Sequence, residues 1–466
     1  MKLHNRNTKQ KDDIVPLNGK KFLVYTCGPT VYDYQHLGNY ATQLRYDTLI
    51  RTIKYATPFD VKHVMNITDV GHLVSDADEG ADKLDKKAKE ENKTAWEIAD
   101  FYIADYKKWL KKLNILQPDK LIRATDYINE QIDLVKRLEN KGYTYKIDDG
   151  IYFDTSKFEE YANFAKLDLD GLKEGERIGV NPQKRNPSDF ALWKLSPTDC
   201  KRDMDWESPW GLGFPGWHAE CSAMAFAELG ESIDIHAGGI DLIPVHHTNE
   251  IAQSECASGK KFSNHWLHSN FLNIKGEKLA KSAGNSILPL DILEKRIDIL
   301  AFRVMILQAK YSSEADFTWE SLTNSAKCLN LFKNLSVLRF DSQANSEVNV
   351  DFKALMKELK EYLNDDLNTP KVIAKLYELS DILSDGVSKP QKGDFIELLE
   401  FLDNVLGLRL LEDNDIPKNT LEKIKARESF KKNKDYDEAD KIRDELLDEG
   451  VSIRDSSTGT IWSIAF

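Results

Sequence analysis

Cysteine is scarce in this chain: Cys27, Cys200, Cys221, Cys256 and Cys328 are five among 466 residues. An odd count at wide spacing offers no disulfide framework and fits a reducing, cytosolic setting. No apolar run approaches the ~20 residues that cross a bilayer, so no membrane association is expected. The N-terminus, Met1 to Asp13, is polar and charged and lacks the apolar stretch of a secretory signal. Internal repeats and low-complexity tracts are missing too. Positive charge is not in excess, with 64 Lys+Arg against 77 Asp+Glu and a net charge of −13. That balance does not exclude a nucleic-acid partner, because local basic faces bind phosphate whatever the total.

What is present is ordinary globular material, 41% hydrophobic and 10% aromatic. At roughly 150 residues per domain the length corresponds to about three domains. The first strand signal is Lys21 to Cys27, followed by a turn at Gly28-Pro29-Thr30. Apolar residues at Leu44, Leu49, Ile50 and Ile53 then predict a helix from about Gly38, and Val61 to Ile67 reads as a second strand. Strand, glycine turn, helix and strand make a βαβ unit of a parallel sheet. Helical text covers Lys83 to Lys112 and Asp126 to Lys141, with a short β region at Tyr143 to Phe153. Residues 154–186 read as an irregular insertion. Strand text returns at Ser232 to His236 and His265 to Ile274, so the sheet is expected to be split. After Leu288 amphipathic helices dominate to about Leu410, one of them preceded by Asn368-Thr369-Pro370. A polar linker from Glu412 to Asn419 precedes a last charged segment.

Four groups of residues could carry chemistry. His36-Leu37-Gly38-Asn39 stands at a helix start, where unpaired N–H groups and the helix dipole suit phosphate. A histidine there is more often a surface or capping residue. Lys278 and Lys281, three apart in GEKLAKSAGN, can converge on a triphosphate, although lysine pairs usually belong to a solvated loop. His246 and Glu250 share one helical face, and with Cys27 and Cys221 they make a plausible tetrahedral zinc set. Buried cysteines are equally small hydrophobes, and nothing local links the four positions. Finally, DIHAGGID at 234–241 puts paired glycines after a strand, which suits close approach of a nucleotide or simply a tight turn.

Together these blocks resemble the cysteinyl-tRNA synthetases, a family of class I aminoacyl-tRNA synthetases. The matching text is TCGPTVYDYQHLGN at 26–39, NITDV at 66–70, RATDYI at 123–128, KRNPSDFALWK at 184–194, SPWG at 208–211, PGWHAECSAM at 215–224, DIHAGGIDL at 234–242, HHTNEIAQSE at 246–255, FLNIKGEKLAKSAGN at 271–285, DLNTPK at 366–371 and DYDEADKIRDELLDEGV at 435–451. The resemblance covers essentially the whole chain. It implies an α/β Rossmann-like catalytic domain with a connective insertion, then an α-helical bundle and a small C-terminal anticodon-binding module. The corresponding expected ranges are 1–115 and 200–288 for the split catalytic domain and 116–199 for the insertion. A stem-contact helical region is expected at 289–345, the bundle at 346–411 and the anticodon module at 412–466.

The resemblance also implies a reaction: cysteine and ATP, with Mg²⁺, form cysteinyl-adenylate, and the cysteinyl group passes to the 3′ end of tRNA(Cys). Catalytic positions would be His36, Asn39, Lys278 and Lys281. ATP would further meet Pro29, Gly38, Gly238, Gly239, Asp241 and Ser282. Thr30, Thr68, Trp217 and His236 match the cysteine pocket. Cys27, Cys221, His246 and Glu250 would hold one Zn²⁺ per chain.

The text departs from the family in places: HLGN ends in asparagine rather than histidine, Leu279 and Ala280 replace Met and Ser, and Ala237 replaces a glycine. IPVHH at 243–247 replaces the usual Phe-Pro, and 71–83 replaces a shorter acidic continuation. The basic stretch with Lys423, Lys425, Arg427, Lys431, Lys432 and Lys434 reads as part of an anticodon contact, with Phe430, Tyr436 and Trp462 as stacking candidates. tRNA would thus engage by its acceptor end and its anticodon, on a cytoplasmic monomer. Two alternatives are a tRNA-independent ligase joining cysteine to an amino-sugar inositol and a catalytically silent RNA-binding paralogue. The long tail weighs against the first; the retained His36, lysines and metal-type set weigh against the second.

Overall fold

The computed structural model describes residues 1–71, 83–167, 181–197, 202–274, 276–278, 286–340, 350–384, 392–411, 418–456 and 459–464. A small hairpin, β1 (Lys2–Asn5) and β2 (Gln10–Asp13), opens the chain. The central sheet follows: β3 (Lys21–Thr26), β4 (Asp60–Ile67) and β5 (Lys120–Arg123), joined by the helix Leu37–Ala56 and by the helices Lys83–Glu91 and Ala95–Lys112. The helical text expected as one run from Lys83 is therefore two helices. Asn92 breaks it in a left-handed conformation (φ 54°), and Thr94 caps the second helix by accepting from Glu97 N–H at 3.2 Å.

An antiparallel sheet interrupts the central one. It consists of β6 (Thr144–Ile147), β7 (Gly150–Phe153), β8 (Phe190–Leu195) and β9 (Gly213–Pro215), in that order. The chain then returns through the helix Trp217–Leu229, β10 (Ile233–Gly239), the helix Thr248–Ser258 and β11 (Ser263–Ser269). All pairings in the central sheet are parallel, in the order β11-β10-β3-β4-β5. Counted along the chain this is 5-4-1-2-3, the doubly wound arrangement whose direction reverses between β3 and β10. Phe22, Val24, Ile235 and Leu267 face the helix Leu37–Ala56; Tyr25 and Val64 face the opposite layer, with Met224.

Two boundaries differ from expectation. β5 pairs with β4, so the central sheet continues into the stretch expected as insertion, and β9 extends the inserted sheet beyond residue 199. The apolar text at 265–274 is two strands, not one. β11 ends at Ser269 in the central sheet, and β12 (Leu272–Ile274) joins β13 (Glu277–Lys278) and β14 (Ala315–Phe317) in a separate small sheet. A short run of apolar residues shows a strand but not which sheet accepts it.

The helices Leu300–Leu307, Trp319–Val337, Phe352–Asn364, Thr369–Ser384 and Lys392–Leu406 enclose a second core built on Leu329, Phe332, Leu363, Phe395 and Leu402. The last unit is a helix pair, Lys418–Lys432 and Tyr436–Asp448, with a hairpin of β15 (Val451–Ser456) and β16 (Gly459–Ile464). Trp462, a stacking candidate in the sequence, lies in this unit's core with Leu446, Val451 and Ile453. The basic stretch is also narrowed. Lys423 pairs with Glu445 and Glu449, and Arg427 and Lys431 pair with Asp455, whereas Lys425, Lys432 and Lys434 lie on the surface. No described helix is long and apolar enough to cross a membrane.

Candidate active site

The reversal between β3 and β10 opens a crevice at the carboxyl ends of the strands, where ligands bind in such sheets. Cys27 is the first residue after β3, and its N–H donates to Ala237 O at 3.0 Å. Glycine must follow it, because a Cβ on Gly28 would lie 1.7 Å from Asn66 O. Pro29 O accepts from Thr68 N–H at 3.0 Å, and Val31 N–H donates to Thr68 O at 3.2 Å. Thr30 and Thr68 are thereby brought side by side at the ends of two strands. Thr68 Oγ1 donates to Glu220 Oε2 at 3.0 Å.

Three further elements converge on Cys27. The helix Trp217–Leu229 brings Cys221. A single π-helical turn, Ile243–His247, brings His246 and His247, and the following helix brings Glu250. The IPVHH text thus marks a wide helical turn, of a kind that often sits at functional sites. The donor atoms of Cys27, Cys221, His246 and Glu250 all lie within 4.8 Å of one another, and all four residues are buried. The four distant sequence positions are one cluster. A second set, in which His236 and His247 replace Cys221 and His246, meets the same spacing.

The electrostatics of the cluster are those of a cation site. Burial opposes the Glu250 carboxylate, but the His236 imidazole, at 2.9 Å, and His246, at 2.8 Å, outweigh it and hold the carboxyl below its usual range. Burial likewise opposes charge on His246, and Glu250 and Cys221 overcome it, raising that imidazole. The Cys221 thiol is pushed well up, first by Cys27 beside it and then by burial. Two thiols and a carboxylate in one buried space repel as anions, and a divalent cation reverses that sign. Two sulfurs, one imidazole and one carboxylate are also the donor types that zinc takes. The residues therefore fit such an ion.

Two of the amino-acid positions expected from the sequence, Trp217 and His236, lie against this cluster. The Trp217 ring stacks on His246, with centroids 4.3 Å apart, and His236 is fully buried against Trp266 at 4.5 Å. At Gly238 the space a Cβ would need is already filled by the His247 ring, 2.2 Å from that point. The glycine is thus required by packing within the cluster. Asp241 is exposed on the rim just after β10. Asp234, at the other end of β10, accepts from Leu17 and Leu23 N–H at 2.6 and 2.7 Å and ties down the N-terminal segment.

His36 stands immediately before the helix Leu37–Ala56, and Gly38 lies in its first turn. Asn39 Oδ1 accepts from His36 N–H at 3.1 Å, so the asparagine that departs from the family text closes this helix start. The backbone of Lys278 ends β13. Lys281 and Ser282 lie outside the described residues. Sequence reasoning missed His247, His268, Glu220 and Trp266. His247 and Glu220 stood inside quoted motifs, but no spacing rule marks a side chain that touches a ligand-bearing residue from another element.

Residues 13–327 match the catalytic domain of class I (C) tRNA synthetases, and residues 358–411 match a DALR domain. A cysteine–tRNA ligase of Treponema denticola is 40% identical, covering 99% of each chain. One from Finegoldia magna is 38% identical with the same coverage. Among solved structures, a Mycobacterium tuberculosis methionyl-tRNA synthetase with methionyl-adenylate superposes with a TM-score of 0.57 at 15% identity, covering 84% of this chain and 90% of that one. An Agrobacterium radiobacter leucyl enzyme gives 0.61 at 12% identity, covering 85% of this chain and 84% of that one, and these two likenesses concern the fold. The chain belongs to the cysteine–tRNA ligase family of class I tRNA synthetases.

Proposed function

We infer that this chain activates cysteine with ATP and transfers it to tRNA(Cys), and that the buried Cys27, Cys221, His246 and Glu250 cluster is what makes it choose cysteine. The carrying observation is the convergence of those four donors at the sheet's reversal point. One Zn²⁺ bound there supplies a soft Lewis acid for the substrate thiolate. A thiolate is a far better ligand for it than a serine hydroxyl. A pocket relying on size alone discriminates only about 10–200-fold.

Around that anchor, Thr30, Thr68, Trp217 and His236 orient the amino acid. The N-terminus of the helix Leu37–Ala56, with His36 and Asn39, receives ATP phosphates, and Asn39 contributes both the closed first turn and its amide donor. Pro29, Gly38, Gly238, Gly239, Asp241 and Ser282 line the nucleotide. The cysteine carboxylate attacks the α-phosphorus and pyrophosphate leaves, its charge neutralised by Lys278 and Lys281. The hydroxyl of the tRNA's terminal adenosine then attacks the acyl carbon and AMP leaves.

The helices after Leu288 and the unit 418–464 form the tRNA side. Of the basic stretch and its aromatics, Lys425, Lys432, Lys434 and Tyr436 are exposed and open to RNA. A monomer suffices for this arrangement. Cysteine-dependent ATP–pyrophosphate exchange, followed by tRNA charging, tests the reading. No exchange would sink it, and exchange without charging would favour the amino-sugar ligase. Zinc should be present at one ion per chain and be lost in Cys221→Ala.

A further inference from the structure

The metal-type cluster is backed by histidines that the reaction does not use. His247 Nε2 lies 3.4 Å from Cys27 Sγ, a hydrogen-bond distance for sulfur. Its other ring nitrogen, Nδ1, lies 2.7 Å from Nε2 of His268 on β11. Nδ1 of His268 has no partner among the described residues. A buried N–H without a partner is costlier than a buried lone pair without one, so the favoured tautomer of His268 leaves Nδ1 bare, carries its hydrogen on Nε2 and donates to His247 Nδ1. His247 must then carry its hydrogen on Nε2, aimed at the cysteine sulfur.

The chain makes room for this. A Cβ at Gly238 would lie 2.6 Å from His247 Nε2, and the His247 ring is packed against Trp266 at 4.9 Å. We propose that His247, oriented by His268, is a positioning residue that donates an N–H···S hydrogen bond to the Cys27 thiolate and so tunes the metal for its substrate.

This rests on the zinc reading above. Two thiolates and a carboxylate carry more negative charge than a divalent cation carries positive, and the substrate adds another thiolate in a buried space. A donor on the Cys27 sulfur draws charge from it and leaves the ion able to accept that further ligand. Hydrogen bonds to cysteine sulfur tune metal sites in this way, and partners outside the ligand set hold the ligands in place. The zinc reading takes the donor set with both thiols, in which His246 is the imidazole ligand and His247 stands outside.

The test uses the full chain loaded with Co²⁺, whose thiolate-to-metal charge-transfer band reports the electron density on sulfur. His247→Phe keeps a ring but removes the donor. The band should move to longer wavelength, and zinc retention should fall about 10–100-fold, the usual effect of losing such a partner. His268→Phe should give a smaller shift in the same direction, and it decides alone if His247→Phe does not fold. His247→Gln, which restores an N–H near the same place, should bring the band back.

An unmoved band in both phenylalanine variants, or equal shifts in His247→Phe and His247→Gln, overturns the proposal. So does complete metal loss in His247→Phe with retention in His246→Phe, which would make His247 the ligand. Failure of the zinc reading itself looks different: the wild-type chain then binds no Co²⁺, or binds it equally well as Cys221→Ala.

Discussion

Two buried polar clusters in this protein are built on opposite rules. The first joins Asp47 and Arg51, on the helix Leu37–Ala56, to Arg303. Asp47 accepts from Arg51 Nε at 2.7 Å, from Leu116 N–H at 2.8 Å and from Arg303. The remaining guanidinium nitrogens donate to backbone oxygens of Leu113, Asn114, Asn404 and Leu406. Every charged atom has a partner, so the cluster is closed and locks the catalytic domain to the helical one. The second cluster, around Cys27 and Glu250, leaves Nδ1 of His236 and His268 unpartnered among the described residues and crowds like-charged donors together. A buried network completed by its own chain serves the fold. One left incomplete among metal-type donors is open to a ligand, since unsatisfied buried polar groups are costly to keep.

The largest expected effect tests the open cluster. Cys221→Ala should abolish zinc binding and lower cysteine-dependent pyrophosphate exchange by more than about a hundredfold, while the thermal midpoint of metal-stripped protein barely moves. Metal content, exchange rate and calorimetry together decide this. A large loss of fold stability in the stripped variant would break the contrast.

The mirror experiment is Asp47→Ala. Leaving Arg51 and Arg303 buried without their carboxylate should cost about 3–5 kcal/mol of stability, read by urea unfolding, with zinc content intact in the protein that remains folded. Zinc loss from natively folded Asp47→Ala would show that the two clusters are not separate.

A buried histidine outside both clusters sharpens the comparison. Burial pushes His63 down to about 4, against the opposing pull of Asp119 and Asp47, from an ordinary value of 6.5. Between those pH values the unfolded chain binds a proton that the folded one refuses. Stability is therefore complete above pH 6.5 and falls as pH drops toward 4, by about 3 kcal/mol at most for this group. His63→Gln should flatten that part of the stability–pH curve measured by denaturant unfolding. His265, pushed the same way by burial, should keep the remainder.

The smallest effect concerns the last unit. Arg427 and Lys431 hold the Asp455 carboxyl well below its usual range. Its stabilisation is present above the normal carboxylate range and is lost as pH falls through and below it. The side chain is 42% exposed, so solvent screening limits Asp455→Asn to under about 1 kcal/mol. Amide exchange should report loosening only within 418–464. Global loosening would mean that this unit is not energetically local.

Much of this was legible along the chain. The βαβ start, the helix beginning near Gly38, the split sheet and the separate helical half are written in apolar periodicity and glycine turns. These depend on residues that are neighbours in sequence. The His246–Glu250 pair was legible for the same reason, because a spacing of four puts both on one helical face. The zinc set as a whole was not readable from spacing, and it came from the family resemblance. The assignment of Leu272–Ile274 to a second sheet and the burial of Trp462 were also not readable, because each depends on which distant surface accepts an apolar residue.

The sequence alone thus determined the local elements, the blocks shared with the family and the residue types able to hold ATP and a thiophilic metal. Only the tertiary structure decided that β3 and β10 lie side by side and bring Cys27 to Cys221, His246 and Glu250. It also decided that Gly238 makes room for His247, and that half of the basic tail is spent on pairing within its own unit. The physical reason is the same each time. Hydrogen-bond and metal-donor geometry is set in ångströms between side chains on separate elements, and only packing of the whole chain fixes those distances.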